Sequence, residues 1–173
     1  MPAFARIAMR LLPLLLCTTL VAACGQQAGD TVAEAMIERS TGADAEVERK
    51  DGHVDIQAKG AHMQIAEEGQ VLALPADFPA DVFRPEGFRV RHVMDVPTML
   101  MLTGDADGDR AALFAQARAA MVQQGWAEVR AGRMGQADSA MFRKEQRETV
   151  MTLMDRNGVV QLSMQLHKPK PKS

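Results

Sequence analysis

Between residues 45 and 66, apolar and polar side chains alternate with a period of two, and the alternation is punctuated by Asp51-Gly52 and Lys59-Gly60. A period of two is the signature of a strand with one buried face, and such dipeptides favour two-residue hairpin turns. Two turns of that kind set the register. Val47 falls opposite Ile56 and Ala45 opposite Ala58; Ile56 then falls opposite Met63 and Val54 opposite Ile65. All the apolar pairs share one face, which predicts a three-stranded meander. Just upstream, Thr31 and Glu34 have the spacing of a capping box, with Val32, Ala33, Met36 and Ile37 on one side and a stop at Gly42. That predicts a short helix.

Pro75, Pro79 and Pro85 exclude residues 70–87 from a helix interior or a central strand. Leu72, Leu74, Phe78, Val82 and Phe83 are too apolar for a free linker, so this segment is expected to be extended and packed along the domain. Beyond it, Phe88, Val90, His92 and Met94 alternate, a turn is expected near residues 95–97, and residues 99–102 continue as an apolar strand. Residues 109–124 carry the helical stripe Leu113, Phe114, Ala117, Ala120 and Met121. Gly125 is placed for a left-handed ending, with Trp126 folding back on Met121.

Strands are expected at about residues 126–130, 139–145, 149–155 and 159–167. Asn157-Gly158 sets Leu153 against Leu162 and Met151 against Met164. A turn at Gln146-Arg147 would set Phe142 against Met151 and Ala140 against Leu153. Thr152, Met154, Gln161, Ser163 and Gln165 fall on the opposite, largely polar face. The expected fold class is α+β: a two-layer sandwich of β-β-α-β-β-β order with one long helix on an antiparallel sheet, preceded by the short helix and the meander. The expected organisation is residues 1–23 as a leader, 24–30 as a tether and 31–69 as helix plus meander. Residues 70–87 form a proline-rich packed linker, 88–167 the main α+β domain, and 168–173 a disordered basic tail.

The chain has 173 residues, 150 of them after the leader, enough for one domain with a core. Arg6 and Arg10 precede an uncharged run over residues 11–23, too short to span a bilayer about 30 Å thick as a helix. The run ends in Val21-Ala22-Ala23-Cys24-Gly25. This resembles the lipobox of bacterial lipoprotein precursors. The resemblance implies cleavage between Ala23 and Cys24, a diacylglycerol thioether and an N-acyl group on Cys24, and attachment to a bilayer. Gly25, where an Asp would signal inner-membrane retention, implies the periplasmic face of the outer membrane; the outer leaflet of the inner membrane is the alternative. The LP-x-x-FP-x-DV stretch from Leu74 to Val82 is similar to segments in uncharacterised bacterial envelope proteins and brings no function with it.

Cysteine usage narrows the chemistry. Cys17 lies in the leader and Cys24 at its end, so the mature chain has neither an internal disulfide nor a cysteine metal site. Tyr is absent and Trp126 is the sole Trp, which disfavours aromatic platforms for single-stranded nucleic acid. Net acidity points the same way, and no nucleic-acid partner is expected. Eleven of the 13 methionines follow the leader and raise the question of copper, for which thioethers are suited. In the predicted register His53 meets Ala66 and His62 meets Gln57, too far apart to share an ion. His92 is expected on the face of Val90, Leu100 and Leu102, at the edge of the core. Met99 and Met101 share one strand face and read as core filling. No metal site is therefore expected, and periplasmic copper handling is the third functional reading.

Asp105, Asp107 and Asp109 imitate the start of an EF-hand loop, but Arg110 and Gln116 occupy positions that need Gly and Glu. They read instead as capping groups for the following helix. No G-x-S-x-G, S-x-x-K, H-E-x-x-H, phosphate-binding or dinucleotide-binding motif occurs, and no catalytic residues or cofactors are expected beyond the lipid on Cys24. Lys168, Lys170 and Lys172 form a solvated tail able to touch anionic headgroups. The leading expectation is a non-catalytic, membrane-anchored envelope protein that works by contact with another envelope component. The alternative is a binder of a small apolar ligand between the sheet and the segment bounded by Pro75 and Pro85.

Overall fold

The computed structural model describes residues 45–168. The leader, Cys24, the tether, the short helix expected at residues 31–42 and residues 169–173 lie outside the described residues.

Nine strands form one antiparallel sheet: β1 (Ala45–Lys50), β2 (His53–Ala58), β3 (Ala61–Ala66), β4 (Arg89–Val96), β5 (Met99–Ala106), β6 (Ala127–Met134), β7 (Ala137–Lys144), β8 (Arg147–Arg156) and β9 (Val159–His167). Their spatial order is β1-β2-β3-β4-β5-β9-β8-β7-β6. Among the described residues one helix, α1 (Arg110–Gln123), crosses β6, β7 and β8. The expectation of a two-layer α+β sandwich is thus overturned: among the described residues the protein is mostly β, with one helix covering part of one face. The physical reason is the pairing of β3 with β4, which sets His62 beside Asp95 and Met63 beside Met94. This ladder fuses the meander to the larger sheet.

The turn chemistry gives the meander its expected register. Asp51 and Gly52 both take positive φ, as a type I′ turn requires, and Val47 meets Ile56 while Ile56 meets Met63. Asn157 and Gly158 do the same for β8 and β9, where Leu153 meets Leu162 and Met151 meets Met164. The β7–β8 turn lies one residue earlier than expected. Glu145 adopts φ 54°, Lys144 pairs with Arg147, and Phe142 therefore meets Thr149 while Ala140 meets Met151. Displacing the turn by one residue moves the register by two, so both side-chain faces are preserved.

α1 begins where Asp109 accepts a 2.8 Å bond from the Ala112 amide. It ends with Gly125 at φ 83° and the Trp126 amide donating back to the Met121 carbonyl at 3.0 Å, the expected Schellman ending. Its inward Ala117 and Met121 lie against Phe142, Met151, Leu153, Leu162 and Met164, all buried. Residues 72–87 form a strap over the same face. Leu72 bridges to Val90, and Phe78 and Val82 donate to the carbonyls of Pro75 and Pro79 at 3.0 and 3.2 Å. The Phe83 amide reaches Met121 Sδ at 3.2 Å. The strap thus completes a layer that the helix begins.

The buried face changes side along the sheet. From β5 to β7 the apolar residues point toward α1 and the strap. In β1–β3 that side carries Glu46, Glu48, Asp55, Gln57, His62 and Gln64, and the apolar row Val47, Ile56 and Met63 faces the other way. The two patterns overlap in β5, where Leu100 and Leu102 face α1 and the strap while Met99 and Met101 face away. Strands apolar on both sides read as unbroken runs, which is the character of residues 99–102.

One buried group lacks a partner. Thr149 is fully buried between Phe142 and Leu166, and its Oγ1 makes no hydrogen bond among the described residues. An unpaired buried hydroxyl costs about 1–3 kcal/mol. Thr149→Val, which keeps the shape, is expected to stabilise the domain by about 1 kcal/mol. The check is a higher urea midpoint with an unchanged slope.

Candidate functional site

The strap leaves a cleft of about 250 Å³ where it passes the ends of β5, β8 and β9. Leu100 and Leu166, paired across β5 and β9, line it with Trp126 and Pro79; Asp77, Arg147, Glu148, His167 and Lys168 supply its polar lining. A cleft therefore lies between the sheet and the segment bounded by Pro75 and Pro85. A second hollow, between Arg118, Val122, Gln123 and Glu128 on the outer side of α1, is open to solvent and brings together no comparable apolar wall.

The cleft is held by a network centred on Asp81. Arg147 donates to both Asp81 oxygens at 2.8 and 2.6 Å, and Lys144 Nζ adds a third bond at 2.8 Å. Trp126 Nε1 donates to the Asp81 backbone carbonyl at 2.7 Å, and the Arg147 guanidinium lies 4.8 Å from the indole centroid. One strap residue thus fixes both the indole and the cation above it. A bidentate arginine-carboxylate fork with a stacked indole constrains orientation more tightly than a point charge would.

The Arg147 hydrogen bonds, followed by those of Lys144, hold the Asp81 carboxyl far below the usual carboxylate range. A depressed folded-state pKa contributes stability above the unfolded pKa, about 4, and loses it as pH falls through the folded value. The pair is partly exposed, so Asp81→Asn is expected to cost about 1–2 kcal/mol at pH 7. That difference should shrink steadily below about pH 5. Urea midpoints of both proteins between pH 7 and pH 2 provide the check; a gap that stays constant would contradict it.

The remaining sequence candidates are dispersed. Asp107 makes a bidentate pair with Arg89 at 2.8 Å, Asp105 pairs with Arg91 at 2.8 Å, and Asp109 caps α1. All three aspartates of the EF-hand-like stretch are thus committed to cations or backbone. His62 donates to the Asp55 carboxylate at 2.9–3.0 Å, and Gln64 joins it at 3.0 Å. His92 is not where alternation from Val90 would place it. A bulge between Val90 and His92 inserts Arg91, so Val90 faces the strap side against Gly104 while His92 pairs with Thr103 on the opposite face.

The network was invisible in the sequence because its members are distant along the chain: Asp81 and Arg147 are 66 residues apart. Trp126 was legible only as a helix-end contact. The three prolines around Phe78 and Val82 supplied the available signal, since an apolar segment unable to form helix or strand must pack on something. Comparison with protein-family models, curated proteins and solved structures finds no match.

Proposed function

We propose that this chain is a lipid-anchored envelope protein without a catalytic role, and that its domain works by seating an apolar side chain of a protein partner in the cleft beneath the strap. The observation that carries this reading is the cleft's size and lining. About 250 Å³ is below the roughly 300–1,000 Å³ typical of small-molecule sites and suits one large side chain. A preformed apolar floor ringed by charges is the arrangement in which interface anchors concentrate binding energy. Leu100, Leu166 and Trp126 would bury the anchor, while Arg147, Lys168 and Glu148 would hydrogen-bond the partner's flanking backbone and polar groups.

Anchoring rests on the lipobox resemblance at Val21-Ala22-Ala23-Cys24. Two or three acyl chains on Cys24 give stable attachment, because each buried CH₂ contributes about 0.8 kcal/mol. Gly25 favours the periplasmic face of the outer membrane as the destination. A second reading, a small apolar ligand in the same cleft, is favoured by the apolar floor that Leu100, Leu166 and Pro79 contribute.

A photo-crosslinking residue at Asp77 in intact cells tests the cleft against the same residue at exposed Met134. The expected result is one discrete protein adduct from position 77. A lipophilic small molecule in its place supports the second reading, and equal labelling at both positions overturns both. Separately, Cys24→Ala is expected to leave an uncleaved precursor; normal processing and membrane retention would overturn the anchor.

A further inference from the structure

On the sheet face away from α1 and the strap, three neighbouring strands present methionine at the same level: Met63 on β3 pairs with Met94 on β4, and Met94 pairs with Met101 on β5. His92 lies on that face two residues from Met94, placed there by the β4 bulge, and its ring has no hydrogen-bond partner among the described residues. We propose that this row is a binding site for one Cu(I) ion, with the thioethers of Met63, Met94 and Met101 and the imidazole of His92 as ligands.

The described methionines range from buried to exposed: Met134 and Met154 are exposed, and Met99 and Met141 are partly buried on other stretches of the sheet. Met121, Met151 and Met164 are fully buried under α1 and the strap, where an adaptable side chain fills gaps in a core containing few aromatics. Met63, Met94 and Met101 are only partly buried, and their row continues into Ile56 and Val47 on β2 and β1. What distinguishes this row is register: Met63, Met94 and Met101 are directly opposed on three adjacent strands, next to His92 on the same face.

Directly opposed residues on adjacent strands hold their Cβ atoms about 4.5–5.5 Å apart. The flexible side chains of Met63 and Met101 can therefore converge from either side on a point above Met94. His92, about 7 Å along β4, approaches from the third direction. Thioether sulfur is a soft ligand that selects Cu(I) over the hard divalent ions. It is also neutral, carries no proton to displace, and cannot be lost to a disulfide, as a thiol can in an oxidising compartment. The proposal is independent of the cleft, which lies on the other face.

The test uses the full chain with Cys17→Ser and Cys24→Ser, so that no cysteine sulfur contributes. Under anaerobic conditions Cu(I) is supplied in buffer containing acetonitrile, a weak Cu(I) ligand, and binding is followed by isothermal titration calorimetry. The expected result is one equivalent bound with submicromolar affinity, weakened at least about tenfold in Met94→Leu and in Met101→Leu. Met164→Leu should bind like the wild type. With methyl-labelled methionine, the NMR shifts should be confined to Met63, Met94 and Met101. Binding no tighter than micromolar overturns the site. So does unchanged affinity in both leucine variants, or equal weakening in Met164→Leu.

Discussion

Trp126→Ala is expected to destabilise the domain by about 3–5 kcal/mol, the range for deleting a fully packed aromatic side chain. Trp126 is 3% exposed and sits among Met121, Val82 and Phe142 in the buried cluster. Truncation would remove that packing, the 2.7 Å bond to the Asp81 carbonyl and the surface under the Arg147 guanidinium together. Trp126→Phe separates the contributions. It retains an aromatic ring but leaves the carbonyl without its donor, and should cost about 1–2 kcal/mol. Urea unfolding followed by far-UV circular dichroism measures both. An alanine variant within 1 kcal/mol of wild type would mean that the strap is not docked as described.

Gly104→Ala is the second large effect, expected at about 3 kcal/mol, the upper part of the range for overpacking. Gly104 sits mid-strand in β5 between Val90 and Leu162. A Cβ there would lie 2.4 Å from the Arg89 carbonyl oxygen and 2.7 Å from Phe88 Cζ. The ring could swing away, but the carbonyl belongs to the bulged strand β4 and can yield only if the ladder moves. Phe88→Ala combined with Gly104→Ala should therefore recover only part of the loss. Gly132→Ala, on edge strand β6 where nothing lies within 4 Å, should be neutral or slightly stabilising. Equal effects at Gly104 and Gly132 would count against the close approach of Phe88 to β5.

What the sequence makes legible follows the range of the forces concerned. Asp51-Gly52 and Asn157-Gly158 determine register within a few residues, and Asp109 and Gly125 bound α1 through bonds to their immediate neighbours. The bulge at Arg91 could not be read, because alternation from Val90 to His92 looks regular until the β5 partner is known. The union of the meander with the rest of the sheet depends on β3 meeting β4 across an intervening strap, a tertiary choice that no local pattern encodes. The apolar run over residues 99–102 held a partial clue, since a strand covered on both faces marks where two buried surfaces overlap. For the cleft, position was legible and composition was not. Proline and apolar residues placed the strap on the sheet, but Asp81, Lys144 and Arg147 converge only after folding.

The strand order carries a consequence for how the sheet assembles and opens. Seven of its eight neighbouring pairs join strands consecutive in the chain; the exception is β5 with β9. Two ribbons of consecutively paired strands, β1–β5 and β6–β9, therefore meet along one seam whose formation must bear the loop-closure entropy of the intervening chain. Leu100 and Leu166 face each other across that seam and form part of the cleft. Whatever occupies the cleft acts as a clasp between the ribbons. Its binding and the breathing of the seam become one linked equilibrium, in which an occupant at a hundred times its Kd raises the cost of opening by about 2.7 kcal/mol.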